Sequence, residues 1–228
     1  MKSRIVVSVF VLLAFALVLM GCGGGGGGGI ATTTPDTTTA SVRQIAAGDR
    51  VVYSLSGTTR AVVSGTMTIT TSADAAWSTL PGRHLQQTAS IDLSIDGKSY
   101  VVVNTIYLSQ STAGAQYHLG SEGAKLTNYV NDPIAWPSPI TTGQTWNYTS
   151  TYSDGSSETV RNNVIGAETV SGVSCYKIEC TTTSTEGNSV ETDWFAPGLG
   201  YPVKSVMAVQ VDATTRLDLI ATLTSKNF

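Results

Sequence analysis

From Val42 onward the chain alternates apolar and polar residues with a period of two, in short runs rich in Val, Ile, Thr and Tyr, and turn residues punctuate the runs. Successive side chains of a strand point to opposite faces, so these runs predict half-buried strands. No stretch carries the 3.6-residue stripe of an amphipathic helix. The best-defined hairpin spans Ala89 to Leu108, where Ile91, Leu93 and Ile95 alternate up to Asp96-Gly97 and Tyr100 to Leu108 returns. Asp-Gly supplies the two positive φ values of a type I′ turn, which fixes the register. A second hairpin is expected over Thr145 to Ile165 around Asp154-Gly155, with Trp146, Tyr148 and Tyr152 on one face. Further strands are expected at Arg50 to Leu55, Ala61 to Thr71, Ala115 to Leu119, Ser174 to Ser184, Val190 to Phe195, Pro202 to Val211 and Thr215 to Thr224. About eleven strands result, and the expected class is all-β: a single strongly curved antiparallel sheet or an open barrel.

Pro-rich Asn131 to Pro139 is the one long irregular connection and a candidate seam between two similar halves. The halves share a faint echo, Gly48-Asp49-Arg50-Val51-Val52-Tyr53-Ser54 against Gly143-Gln144-Thr145-Trp146-Asn147-Tyr148-Thr149. Any antiparallel strand that follows a Gly turn and carries alternating aromatics can produce the same pattern.

Ahead of the β pattern the chain obeys different rules. Lys2 and Arg4 precede an apolar run from Ile5 to Met20 broken only by Ser8, which is the layout of a signal peptide and falls short of the ~18 to 20 residues of a spanning helix. Gly23 to Gly29 is unbroken glycine, and Ile30 to Ser41 is Thr-rich with too little apolar surface to offset the cost of ordering. We read a flexible tether there, with an r.m.s. reach of ~20 to 25 Å. The expected organisation is therefore a signal peptide over 1–21, a tether over 22–41 and a β domain over 42–228. A phosphate-cradling reading of the glycine run lacks both the preceding strand and the following Lys-Ser/Thr.

Leu19-Met20-Gly21-Cys22, at the end of the apolar run, resembles the lipobox of bacterial lipoproteins. The resemblance implies that the Cys22 thiol carries a diacylglycerol, that residues 1–21 are removed, and that the new α-amino group is acylated. Gly23 stands where an Asp would signal retention at the inner membrane, so the family rule implies lipid anchoring at the outer membrane, on the periplasmic side or the cell surface. Several acyl chains at ~0.8 kcal/mol per CH₂ hold a domain firmly at a bilayer.

Charge sharpens the partner expectations. Only 13% of residues are charged, and the formal net charge is -3. Loss of Lys2 and Arg4 leaves 11 basic against 16 acidic side chains, or -5. An acidic, charge-poor chain favours neither nucleic acid nor anionic headgroups, so membrane contact is expected through the lipid on Cys22 alone.

Candidate chemistry is sparse. Besides Cys22 the cysteines are Cys175 and Cys180, five residues apart. On one extended strand that spacing spans ~16 Å and points the thiols to opposite faces, against the ~7 Å limit for a disulfide. Two separately buried thiols or, with a broken strand, a Cys175–Cys180 disulfide are both open. His84 and His118 have no Cys or carboxylate at metal-ligand spacing, so structural or solvent-facing roles are expected and no metal. Glu191 and Asp193 share one strand face with Glu179 as a candidate cross-strand neighbour, a cluster suited to acid/base work or to a solvated face. Asp92 to Gly97 misses the EF-hand spacing, and no nucleophile elbow, zinc-protease or kinase signature occurs.

Three segments of the second half, Thr142 to Tyr148, Val170 to Ile178 and Trp194 to Lys204 (Trp-Phe-Ala-Pro-Gly-Leu-Gly-Tyr-Pro-Val-Lys), resemble in order and spacing bacterial lipoproteins and periplasmic proteins of unknown function. Such sheets are similar in shape to the half-open barrels of the LolA and LolB lipoprotein carriers, an analogy of fold alone. Read physically, Trp194 to Lys204 is a corner: a strand ends at Phe195, Pro197-Gly198 turns, Gly200 bends again and Tyr201 starts the next strand. The expected function is an envelope lipoprotein without enzymatic activity or cofactor, binding an envelope protein or polymer or serving structurally. The alternative is a carrier of lipid or another hydrophobic ligand on the concave face, which requires residues such as Ile91, Leu93, Ile95, Ile106, Leu108, Trp146 and Tyr148 to be left uncovered.

Overall fold

A computed structural model describes residues 39–58, 62–73, 82–122, 124–130, 133–184, 187–212 and 215–228. The expected signal peptide, Cys22 and the expected tether up to residue 38 lie outside them. The described residues form fifteen strands: β1 (Thr39–Ala40), β2 (Arg50–Thr58), β3 (Val62–Ala73), β4 (Arg83–Ile95), β5 (Lys98–Gln110), β6 (Gln116–Ser121), β7 (Ala124–Val130), β8 (Ile134–Trp136), β9 (Ile140–Thr141), β10 (Thr145–Tyr152), β11 (Ser157–Val170), β12 (Val173–Ser184), β13 (Gly187–Ala196), β14 (Tyr201–Asp212) and β15 (Thr215–Lys226). No helix occurs among them. The expected all-β class therefore holds.

Thirteen strands make one antiparallel sheet in the order β5-β4-β3-β2-β15-β14-β13-β12-β11-β10-β7-β6-β8. The sheet curls toward a barrel without closing. Strand β6 pairs with β5 from Ile106 to Gln110, and it meets β7 only at Gly120 and Ser121, where it turns into it. Local chemistry sets the hairpins. Asp96 and Gly97 take φ of 51° and 71° between β4 and β5, and Ser171 and Gly172 take 51° and 79° between β11 and β12. Both are the double positive-φ geometry that a two-residue turn requires.

Expected strands appear at every expected place, usually a few residues longer. Four short elements were not expected. The Asn131 to Pro139 connection contains β8, whose Ile134 and Trp136 pair with β6. Strand β7 follows the β6 turn, and β1 pairs with β9. The tether expectation thus ends early, because Thr39 and Ala40 are held by Thr141 and Ile140. Gly48 and Gly143 of the echoed segments both have positive φ, and Tyr53 and Tyr148 are both buried.

Two large clusters of the core lie on the concave face, and a further one, with Cys175, Ala196 and Val203, lies on the other face of the sheet. The larger unites Val51, Tyr53, Leu55, Met67, Ile69, Leu85, Ile91, Leu93, Leu108, Tyr201 and Leu219 around Ile45. The smaller holds Val42, Trp136, Ile140, Val164, Tyr176, Ile178 and Phe195, with the Trp136 and Phe195 rings stacked at 4.3 Å. Burying each large aliphatic side chain contributes roughly 1.5–3 kcal/mol.

The segment from Val42 to Asp49 closes one end of the curled sheet. Ile45 is wholly buried in the larger core. Arg43 donates its backbone N–H to Pro197 O at 2.7 Å, and its guanidinium reaches both Asp49 oxygens at 2.8 and 3.1 Å and Leu199 O at 3.2 Å. The guanidinium also lies 3.9 Å from the Phe228 ring centroid, so the C-terminal residue joins this closure. Arg83 donates to Ile45 O, and Val42 N–H donates to Ser138 Oγ at 3.1 Å.

Candidate functional site

The acidic cluster of β13 takes a different form from the one its spacing suggests. Glu191 and Asp193 lie on the concave face at 2% and 0% exposure, among apolar neighbours, instead of on a solvated strand face. Asp193 opposes Ile178 on β12 and Ser205 on β14, and it accepts a hydrogen bond from the Ser205 hydroxyl. Glu191 hydrogen-bonds to Asp193 and opposes Cys180 and Met207. Burial pushes the Asp193 carboxyl up to about 7, with the bonds from Ser205 and Glu191 opposing the shift. Among the described residues its Oδ2 has no hydrogen-bond partner. Glu179 is not part of this group. It pairs with Thr192, points to the other face, and stands 3.9 Å from the Lys177 amine, because alternation sends residues 179 and 192 outward while 191 and 193 face in.

A second buried polar group centres on His118, which the sequence left as an isolated imidazole. His118 on β6, Tyr152 on β10 and Glu158 on β11 meet inside the sheet at 4%, 5% and 3% exposure. The Tyr152 hydroxyl donates to Glu158 Oε1 at 2.7 Å and lies 3.2 Å from His118 Nδ1. Glu158 Oε1 is 3.8 Å from the same nitrogen. Burial lowers His118 to about 4 and raises Glu158 to about 7, so at neutral pH the imidazole is uncharged. Burial also raises Tyr152 and Tyr148, with the Glu158 charge adding to both. The sequence signal was partly present, since Tyr148 and Tyr152 share a face as expected. Glu158 was missed because a charge in an alternating strand reads as solvated. His84 stands half-buried on β4, opposite Ser109.

Both groups are proton-binding side chains buried within the sheet. Ser150 Oγ, across the ladder from Glu158, and Thr182 Oγ1 are likewise buried without a hydrogen-bond partner. No set of three or more metal-ligating side chains gathers among the described residues.

The concave residues singled out for a carrier are covered by the chain itself. Ile91 and Leu93 are 0% and 2% exposed, Ile106, Leu108 and Tyr148 are buried, and Ile95 and Trp146 are half-buried. The Trp146 indole N–H donates to Ile134 O at 2.8 Å. The corner at Trp194 to Lys204 is structural in form. Gly200 has φ of 76°, its N–H donates to Ala196 O at 2.9 Å, and β14 leaves from Tyr201. Trp194 faces outward with the Lys204 amine 4.6 Å from its ring.

Cys175 and Cys180 lie on opposite faces of β12, as five residues of unbroken strand require. Cys175 is a free, buried thiol against Ala196 and Val203, pushed up to about 11 by burial, so the Cys175–Cys180 disulfide is not formed. Beside it a groove of about 550 Å³ runs between the chain entry at Thr39–Ser41 and the Pro197–Leu199 turn, floored by Val173 and Tyr176.

No protein-family model matches the chain, and no curated protein does. Among solved structures it is similar to a "putative exported protein with YmcC-like fold" from Bacteroides fragilis, at 12% identity and a TM-score of 0.42, over 83% of this chain and 100% of that one. A likeness of that size carries no argument about what this chain does.

Proposed function

We propose that the chain is an envelope lipoprotein, held at the outer membrane by acyl groups on Cys22, whose β domain is a non-enzymatic binding or structural module for an envelope protein or polymer. The observation that carries this reading is the filled concave face. Residues 42–49 and Phe228 close one end, and the apolar residues that a carrier would offer to a ligand already contact one another. Ile91, Leu93, Ile106 and Leu108, buried against one another, offer a lipid no preformed site, and the buried carboxyls offer a substrate no approach.

The anchor also sets an orientation. The chain enters at the closed end, beside Pro197 and Ser138, whereas the turns at Asp96-Gly97 and Asp154-Gly155 lie at the far ends of their hairpins. A tether reaching ~20 to 25 Å keeps the closed end toward the bilayer and presents the hairpin turns to a partner.

The test is mass spectrometry of the full chain isolated from envelopes of a Gram-negative host. The expected mass lacks residues 1–21 and carries acyl groups, and Cys22→Ala abolishes both changes, leaving an unacylated chain that keeps its apolar N-terminal run. An unprocessed mass of the parent chain, or acyl groups that persist in Cys22→Ala, refutes the anchor. Native spectra followed by organic extraction decide between module and carrier: a reproducible lipid-sized adduct bound to the folded domain of Cys22→Ala overturns the module reading.

A further inference from the structure

We propose that the lower half of β5 is a homodimer interface, in which two copies of the chain pair their β5 edges antiparallel about a two-fold axis at Val101. The edge is defined by where β6 stops. The β5–β6 ladder ends at Ile106, and Glu122 N–H closes it by donating to Thr105 O at 2.8 Å. Since Thr105 turns its carbonyl toward β6, alternation turns the backbone N–H and C=O of Val103, Val101 and Ser99 the same way. On the side away from β4 no strand lies beside those three residues among the described ones.

Between Ser99 and Thr105 the edge also lacks the usual protections. Its pairing with β4 runs without a bulge from Arg83 opposite Gln110 to Ile95 opposite Lys98. Between Ser99 and Thr105 there is neither a charge nor a proline. Val101 and Val103 stand on the outer face at 68% and 57% exposure, the highest among the large exposed hydrophobic residues described. A flat, apolar, uncharged edge is a template for another strand, and soluble proteins ordinarily block such edges.

A second copy fits this edge in one register. The free stretch from Lys98 to Asn104 is centred on Val101, so self-pairing about that residue sets Ser99 against Val103 of the other copy and uses every outward N–H and C=O. Moving the axis to Val103 drives the hairpin turns toward Glu122 of the other copy, and moving it to Ser99 leaves Val101 opposite a turn instead of a strand. Charge agrees with the same register. Lys98 at one end of the stretch falls beside Glu122, the exposed residue that ends it at the other, and symmetry makes the contact twice. The valines of both copies then form one patch on the outer face, away from the closed end that carries the tether. Edge pairing alone buries little area, which places the dimer in the weak, micromolar class.

Sedimentation of the full chain in density-matched detergent, from about 1 to 300 µM, tests the association expected of that class. A reversible monomer–dimer equilibrium is expected, weakened at least about tenfold by Val101→Lys, which sets two like charges directly opposite each other. Cysteine pairing tests the register. Val101→Cys lies on the axis, where Cα atoms of a hydrogen-bonded pair are about 5.5 Å apart, within disulfide range. Val103→Cys sits about 13 Å from its mate and is expected not to cross-link. A monomer at every concentration overturns the proposal, and so does cross-linking of Val103→Cys as efficient as that of Val101→Cys. Both positions are exposed, and circular dichroism of the variants verifies that they fold.

Discussion

Replacing Asp193 by Asn removes a proton-binding site from the middle of the sheet while keeping its shape. The native carboxyl titrates near 7 because burial disfavours its charged form, whereas in the unfolded chain it titrates near 3.8. Between those values the native protein holds a proton that the unfolded chain releases. The site is thus neutral in effect below pH ~4, costs stability as pH rises from ~4 to ~7, and adds no further cost above that. A shift of about three units at 1.36 kcal/mol each makes the loss about 4 kcal/mol. An asparagine oxygen still accepts from the Ser205 hydroxyl, so the variant keeps that contact and loses the titration. Asp193→Asn should therefore match the parent at pH 4 and exceed it by up to about 4 kcal/mol at pH 7.5, which for this size of domain is roughly 8–16 °C in Tm. Urea unfolding at half-unit pH intervals measures the difference directly. A difference that does not change with pH, or a variant less stable than the parent at pH 7.5, refutes the reasoning.

Three further outcomes follow from the same geometry. His118 is held neutral with its titration lowered to about 4, so its own contribution costs the native state stability as pH falls from 6.5 toward 4, against the opposite contribution of Asp193; His118→Gln should gain about 3 kcal/mol on the parent over that interval, read from the same urea curves. Tyr152→Phe removes the hydroxyl that donates to Glu158 and leaves a buried carboxyl short of a donor, for an expected loss of about 1–3 kcal/mol in unfolding at pH 7. Ile45→Ala opens a cavity where residues 42–49 close the sheet; about 2–5 kcal/mol should be lost, with faster amide exchange over 42–49 than over β12.

Strand positions were legible because alternation and Asp-Gly turns are local. Ile91, Leu93 and Ile95 announce a face, and Asp96-Gly97 fixes where the chain reverses. Strand β7 was not legible, since its Lys, Leu, Thr, Asn and Tyr make a weak pattern and its pairing with β10 depends on the β6 turn. Strands β1, β8 and β9 are two or three residues long and exist only through distant partners. The acidic cluster misled for a related reason. On β13 the polar residues Glu191 and Asp193 face inward, while Val190, Thr192 and Trp194 occupy the outer side. A register shift between Trp194 and Phe195 joins this inverted stretch to the apolar corner.

By itself the sequence determined an all-β domain, its hairpins and the corner at Pro197–Gly200, and it set Cys175 and Cys180 on opposite faces only on condition of an unbroken strand. Each follows from dihedral preferences and period-two alternation within a few residues. Only the tertiary structure decided which face is inside, because that depends on how a curled sheet meets itself. It brought His118, Tyr152 and Glu158 together from three strands, sent Glu179 away from Glu191 and Asp193, and drew Val42 to Asp49 across the open end. Those outcomes rest on contacts between residues far apart in the chain, whose free energy no local pattern carries.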